Sequence, residues 1–339
     1  MPNDALDPAW LLGLGIVAAA LLAAALIRLC LPLLQRYALA RPNARSSHTI
    51  PTPQGAGIAV VVATLLVAGD LIGLQAPAAL PELLPVFAAA LTLAAIGAID
   101  DIAPLAVTPR LIAQAAAVAA MVWALPEELR IAPFLPAWLE RAGLLLGTLW
   151  FVNLVNFMDG LDWITVAEVL PVAGALVALG LFGTLPWPAA VLAAALGGAC
   201  LGFAPYNKPV ARVFLGDVGS LPIGLLLAWC LIELAAQCWA AALLLPLYYL
   251  LDATLTLLRR LLAGEAVWQS HRSHFYQRAT TNHFTVMQVV SEVFVLNLAL
   301  AALAIGAAAS HSALIEVLLL GLGVAAVAVV LTRFSRPRR

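Results

Sequence analysis

Apolar runs of about twenty residues recur along almost the whole chain, and nothing else in the sequence limits its folding so severely. A helix needs about 20 such residues to cross the hydrocarbon core of a bilayer. Eleven runs approach that length, near residues 9–31, 56–75, 83–99, 110–125, 138–157, 168–184, 188–204, 218–236, 239–258, 287–308 and 313–332. Gly and Pro interrupt the fifth to the eighth. The expected fold is all-α: a single polytopic membrane domain over residues 1–339 with about 10–11 transmembrane helices. Composition agrees, since 64% of the residues are hydrophobic and 10% charged, against about a quarter charged in a soluble domain. A water-soluble enzyme, a nucleic-acid binder and a disordered chain are thereby excluded. The four cysteines lie in apolar runs without CxxC or Cys/His spacing, so neither a disulfide framework nor a zinc site is indicated. The opening MPNDALDPAW has no basic residue and so lacks the positive n-region of a signal peptide; the first span is expected to be retained.

Charge orients the spans. With the N-terminus outside, 15 of the 17 Lys and Arg residues fall on the cytoplasmic side, Arg28 among them by snorkelling. Only Arg130 and Arg141 fall outside, where Asp4, Asp7, Glu82, Glu127 and Glu128 also lie. The expected topology is N-out, C-in. Trp10, Trp123, Trp138 and Trp187 at span ends read as an interfacial belt.

The remaining polar residues gather in five segments that face the same compartment. Residues 41–57, RPNARSSHTIPTPQGAG, are kept from a helix by Pro42, Pro51 and Pro53. Arg41, Arg45 and His48 make this segment either a topogenic loop or an anion-binding one. Asp100 and Asp101 end the third span. Adjacent carboxylates at a membrane face repel unless a cation or a proton separates them, so the pair is a solvated loop feature, a metal site or a general base. Asn153, Asn156 and Asp159 share a helical face in an apolar stretch and need partners, either as helix–helix glue or as substrate contacts. In NKPVARVFLGDVGSLPIG, Asp217 stands between Gly216 and Gly219. Those glycines would let main-chain N–H groups at a helix start approach a phosphate, and the carboxylate is a hard ligand of the kind Mg²⁺ prefers. The loop 257–284 holds Arg259, Arg260, His271, Arg272, His274, Arg278 and His283, which can grip diphosphate oxygens. Zinc on His271 and His274 would lack a third ligand.

Acids, amides and a basic loop on one face are the equipment of phosphoryl or phosphosugar transfer with Mg²⁺. Their place at a bilayer surface implies a lipid substrate. A transporter or flippase of polyprenyl-linked sugars, the alternative, would hold its ionisable groups near the midplane.

Five blocks in order, SSHTIPTPQGAG, AIDD, NLVNFMDGLD, NKPVARVFLGDVGS and HRSHFYQR, resemble the polyprenyl-phosphate N-acetylhexosamine-1-phosphate transferases, glycosyltransferase family 4, over about residues 40–285. The resemblance implies transfer of sugar-1-phosphate from a UDP-N-acetylhexosamine to undecaprenyl phosphate with release of UMP. It implies Mg²⁺ as cofactor, with Mn²⁺ as a substitute, and an active site on the cytoplasmic face of a bacterial inner membrane. The oligomeric state is left open, a homodimer among the options. By the same resemblance Asp100 and Asp101 form the acid pair that binds or deprotonates the lipid phosphate. Asp217 is the metal ligand and Asn156 the amide that joins it. Asp159, Asn207 and Phe214 meet uracil, Phe214 by stacking. His271 and His274 are the outer histidines of an H-x-H-H loop. Asn153, Arg272 and His48 complete the candidate substrate contacts. Two positions depart from the family pattern, Ser273 in place of His and Trp163 in place of Gly. These departures, with HRSHFYQR, are similar to the branch that starts O-antigen or capsule chains rather than to the muramyl-pentapeptide enzyme. A CDP-alcohol phosphotransferase is excluded because its D-G-x2-A-R pattern is missing.

Overall fold

Asp7 opens the first helix. Its carboxylate accepts from the Ala9 N–H at 2.9 Å, and Pro8 at the first helical position has no N–H to leave unpaired. The structure, a computed structural model, describes residues 7–40, 50–266 and 271–338. Helix α1 spans Pro8–Tyr37, and a two-residue antiparallel ladder joins β1 (Leu39–Ala40) to β2 (Thr52–Pro53). Then come α2 (Gly57–Gln75), α3 (Leu80–Ile102), α4 (Val107–Trp123), α5 (Ala137–Met158), α6 (Ile164–Leu181), α7 (Trp187–Asn207) and α8 (Asp217–Ala235). The chain ends with α9 (Trp239–Leu244), α10 (Leu247–Leu262), α11 (Phe275–Thr281), α12 (Val286–Ser310) and α13 (Ala313–Phe334). Among the described residues nine helices are long and apolar enough to cross a membrane, and α4, with 17 residues, is a shorter apolar helix. The all-α polytopic expectation holds.

The ninth expected run is not one helix. It breaks at Leu245–Pro246 into α9, of six residues, and the amphipathic α10, of 16. Proline has no N–H to donate, and its ring clashes with the carbonyl four residues earlier. The fifth to eighth runs are continuous despite Pro171, Pro205 and Pro222 inside α6, α7 and α8. Together α9 and α10 still return the chain across the bundle, since His271 beyond α10 shares a cavity with Asp217 at the start of α8.

The core lies around α7 and α8, whose apolar windows are 78% and 89% buried; α13, at 17%, is peripheral. α1, α2 and α6 pack on α7, and α3 and α5 on α8. At the first turn of α8 backbone meets backbone. A Cβ on Gly97 of α3 would stand 2.3 Å from the Asp217 carbonyl, and one on Gly57 of α2 would stand 2.2 Å from the Gly219 Cα. These glycines draw three helices together where Asp217 emerges.

Candidate active site

Asp217 is the first residue of α8, behind Gly216 at φ 78°, a conformation natural to glycine. Its Oδ1 accepts from Asn156 Nδ2 at 2.7 Å, and the same amide donates to Ser220 Oγ at 2.9 Å. Its Oδ2 lies 3.8 Å from Arg110 Nη1. The acid pair divides. Asp100 accepts from Arg110 Nη1 and from the Leu105 N–H, both at 2.6 Å. Asp101 turns to α8, accepting from the Asp217 and Val218 N–H groups at 3.0 and 3.1 Å, while Gln54 Nε2 donates to its carbonyl at 3.0 Å. The charges that separate the two acids are thus the Arg110 guanidinium and the positive end of α8. One expectation is corrected here. The N–H groups of Asp217 and Val218 do not await a phosphate, because Asp101 holds them. The flanking Gly219 serves the close packing of α2 on α8.

Two cavities meet at this centre, both lined by Asn156 and Asp217. The first, about 410 Å³, is the more polar and adds Asp101, Asp159, Asn207, Phe214 and Gln277. Burial, with Asp101 and Asp162 nearby, pushes the Asp159 carboxyl up to about 7, against the hydrogen bond it accepts from Thr165 Oγ1. Asn207 accepts from the Trp163 N–H at 2.7 Å and donates to the Val213 carbonyl at 3.1 Å. Trp163 itself stands at φ 65°, the left-handed conformation that explains a glycine in the family pattern. Here the bond to Asn207, and one from the indole N–H to the Ala204 carbonyl at 2.6 Å, hold a large side chain in it.

The second cavity, about 640 Å³, has an apolar wall of Leu111, Leu146, Leu149, Trp150, Phe157 and Leu257, and ends at Arg110, His271 and His274. His274 is 3% exposed, with Nδ1 3.2 Å from Asp252 Oδ1. Asp252 is fully buried and also accepts from the Phe275 and Tyr276 N–H groups, at 3.0 and 3.1 Å, and from the Tyr248 hydroxyl at 3.2 Å. With Nδ1 turned to Asp252, Nε2 is the ring nitrogen left for the cavity. His271 stacks on His274 with centroids 4.8 Å apart, and Ser273 Oγ is 2.8 Å from its Nδ1. Burial, then His274 and Arg260, push the His271 pKa down to about 4. At neutral pH that ring is an uncharged hydrogen-bonding group, not a cation.

The structure therefore brings Asp100, Asp101, Asn156 and Asp217 together at the centre. Asp159, Asn207 and Phe214 line the first cavity, and Asn153, His271 and His274 the second. Asn153 also acts as helix glue, its amide donating to Gln114 Oε1 at 3.0 Å and to the Leu149 carbonyl at 2.8 Å. Arg272 is exposed and lines neither cavity. His48 lies outside the described residues. Sequence reasoning missed Gln54, Arg110 and Asp252 as site residues. A signal existed for the last, since a carboxylate inside an apolar run is costly without partners. Among the described residues no group of three or more His, Cys, Asp or Glu side chains is poised to hold a metal. Mg²⁺ asks less: one or two carboxylates, with water and substrate phosphates completing its shell. Asp217, its side chain 27% exposed, offers hard oxygens of that kind, and Asn156, whose amide nitrogen donates to it, would add another by turning its amide oxygen inward.

A cleft rich in acids and amides and an apolar-walled groove thus converge on one acidic centre in the helix bundle. The chain matches glycosyl transferase family 4 over residues 83–235. The decaprenyl-phosphate N-acetylglucosaminephosphotransferase of Mycobacterium tuberculosis is 30% identical over 283 residues, covering 71% of this chain and 68% of the relative. That of Mycobacterium leprae shows the same identity over 69% of its own length. Over 88 residues, 25% of this chain and 26% of the relative, the phospho-N-acetylmuramoyl-pentapeptide-transferase of Chlamydia trachomatis is 47% identical. The chain belongs to this family, the polyprenyl-phosphate hexosamine-1-phosphate transferases.

Proposed function

We propose that the protein transfers N-acetylhexosamine 1-phosphate from a UDP-sugar to undecaprenyl phosphate, releasing UMP, on the cytoplasmic face of a bacterial inner membrane. We assign it to the first membrane step of an O-antigen or related cell-envelope glycan. The observation that carries this reading is the sharing of Asn156 and Asp217 by two cavities, one richer in acids and amides and the other walled mostly by apolar side chains. The polar cavity suits the nucleotide: Asp159 and Asn207 offer uracil hydrogen bonds, and Phe214 offers a ring to stack on. The apolar groove suits a prenyl chain whose phosphate ends against Arg110, His271 and His274.

In the reaction an oxygen of the lipid phosphate attacks the sugar-bearing phosphorus of the UDP-sugar. The bond from that phosphorus to the bridging oxygen breaks, and UMP leaves with the electron pair. A new diphosphate then links lipid and sugar. Asp217 and Asn156 would hold Mg²⁺, or Mn²⁺ in its place; when bound it neutralises charge on the diphosphate. Arg110, oriented by Asp100, offers its guanidinium to phosphate oxygens. His274 Nε2, oriented by Asp252, faces the same groove. Asp101 acts at one remove, fixing the start of α8 and with it Asp217.

The direct experiment supplies membranes containing the protein with a panel of UDP-sugars and identifies the lipid product by mass spectrometry. A sugar-1-phosphate-linked prenyl lipid with stoichiometric UMP is expected. Asp217→Asn should abolish it with the fold intact, because one ligand charge is lost where the metal would bind. Near-normal turnover of that variant at saturating Mg²⁺ would refute the role of Asp217.

A further inference from the structure

Away from the transfer centre, the end of α13 and the turn before α12 enclose a basic hollow of about 690 Å³. Phe284 forms one wall, and the guanidinium carbons of Arg333 and Arg338 lie 5.7 and 5.6 Å from its ring centroid. Arg336 completes the basic lining. The segment is pinned: the Arg338 N–H donates to the Asn282 carbonyl at 3.0 Å, and Asn282 Nδ2 donates to the Phe334 carbonyl at 2.7 Å. Glu292 offsets one of the three charges through Arg333 at 3.1 Å, so a positive surplus remains. Ala328 and Val329 of α13 add an apolar part to the lining, with Val329 68% exposed. On a peripheral membrane helix such a face meets acyl chains. Arg333, one turn further on, reaches headgroup level.

We propose that this hollow binds an anionic glycerophospholipid, its phosphate held by Arg336 and Arg338 and its first acyl carbons lying along Ala328 and Val329. Guanidinium forks match phosphate oxygens, and the Phe284 ring keeps two of them in place. Free phosphate would satisfy the arginines but leave the apolar wall unused. The site is independent of the transfer reaction.

The test titrates detergent-purified protein with dioleoyl phosphatidylglycerol or dioleoyl phosphatidylcholine and counts bound lipid by native mass spectrometry, with inorganic phosphate as competitor. Wild type should prefer phosphatidylglycerol and keep it in the presence of phosphate. Arg336→Gln/Arg338→Gln should bind it about thirty-fold more weakly, roughly 2 kcal/mol at 1.4 kcal/mol per decade. Arg336→Lys/Arg338→Lys retains the charge and should lose far less, which separates lost binding from lost folding. Equal retention of the two lipids, unchanged binding in the Gln variant, or displacement by phosphate would each overturn the proposal.

Discussion

Asp252 touches neither cavity, yet it gathers α10, His274 and the first turn of α11 around one carboxylate. It is a positioning residue. Asp252→Asn keeps the size but turns one acceptor into a donor, so His274 loses its orientation. The expected loss is in kcat, with KM for the UDP-sugar unchanged, because the nucleotide cavity is lined by other residues. His274→Ala should cost about 2–4 kcal/mol of transition-state stabilisation, roughly 30- to 1000-fold in rate. The double variant should be no slower than His274→Ala, since the two residues act as a unit. Initial rates of UMP release at saturating substrates decide; losses that add would separate the two roles. At this scale the sequence was legible where motifs paired residues far apart in the chain, as for Asn156 and Asp217, which meet at 2.7 Å. It was silent for Arg110, because a single arginine at a helix start looks topogenic until Asp100 and Asp217 are seen on either side of it.

Between helices the decisive contacts are made by residues with no side chain. Gly97→Ala would put a methyl carbon 2.3 Å from the Asp217 carbonyl, backbone against backbone, with no flexible atom to give way. The expected destabilisation is about 1–3 kcal/mol, with loss of activity as the start of α8 is pushed off Asp101. Gly143→Ala in α5 has nothing within 4 Å and is the control: stability and turnover should hold or rise slightly. Thermal unfolding in detergent alongside rate measurement distinguishes the two; equal behaviour would remove the close-packing account. Helices were legible because unbroken hydrophobicity has few other outcomes in lipid. The break before α10 was equally written, in Pro246, but five other prolines, Pro32, Pro85, Pro171, Pro205 and Pro222, are tolerated within continuous helices. Local sequence does not separate those cases; the neighbours that repair the freed carbonyls do.

Over the whole molecule, the two basic residues on the wrong side of the charge asymmetry find local employment. Arg130 pairs with Glu140 and donates to the Leu135 carbonyl at 2.6 Å. Arg141 donates to the carbonyls of Val122, Leu125 and Pro126 at 3.2, 3.2 and 2.5 Å. Both fasten the loop between α4 and α5 and so need not count against an N-out, C-in arrangement. That arrangement predicts a labelling pattern. In a Cys30→Ser background, whose remaining cysteines are buried, Arg272→Cys should react with a membrane-impermeant maleimide in inverted vesicles and not in intact cells. Modification from outside would invert the topology and the site with it.

The shared wall at Asn156 and Asp217 has a consequence in the language of two-phase chemistry. A sugar nucleotide and a prenyl phosphate are mutually immiscible, and in a flask they would react only across an interface or with a carrier ferrying one into the other's medium. Under the proposed function neither reagent would be ferried. Each would keep its own solvent up to the shared residues, where only the phosphates meet. The two-compartment shape of the bundle would then do the work of a phase-transfer catalyst that never moves.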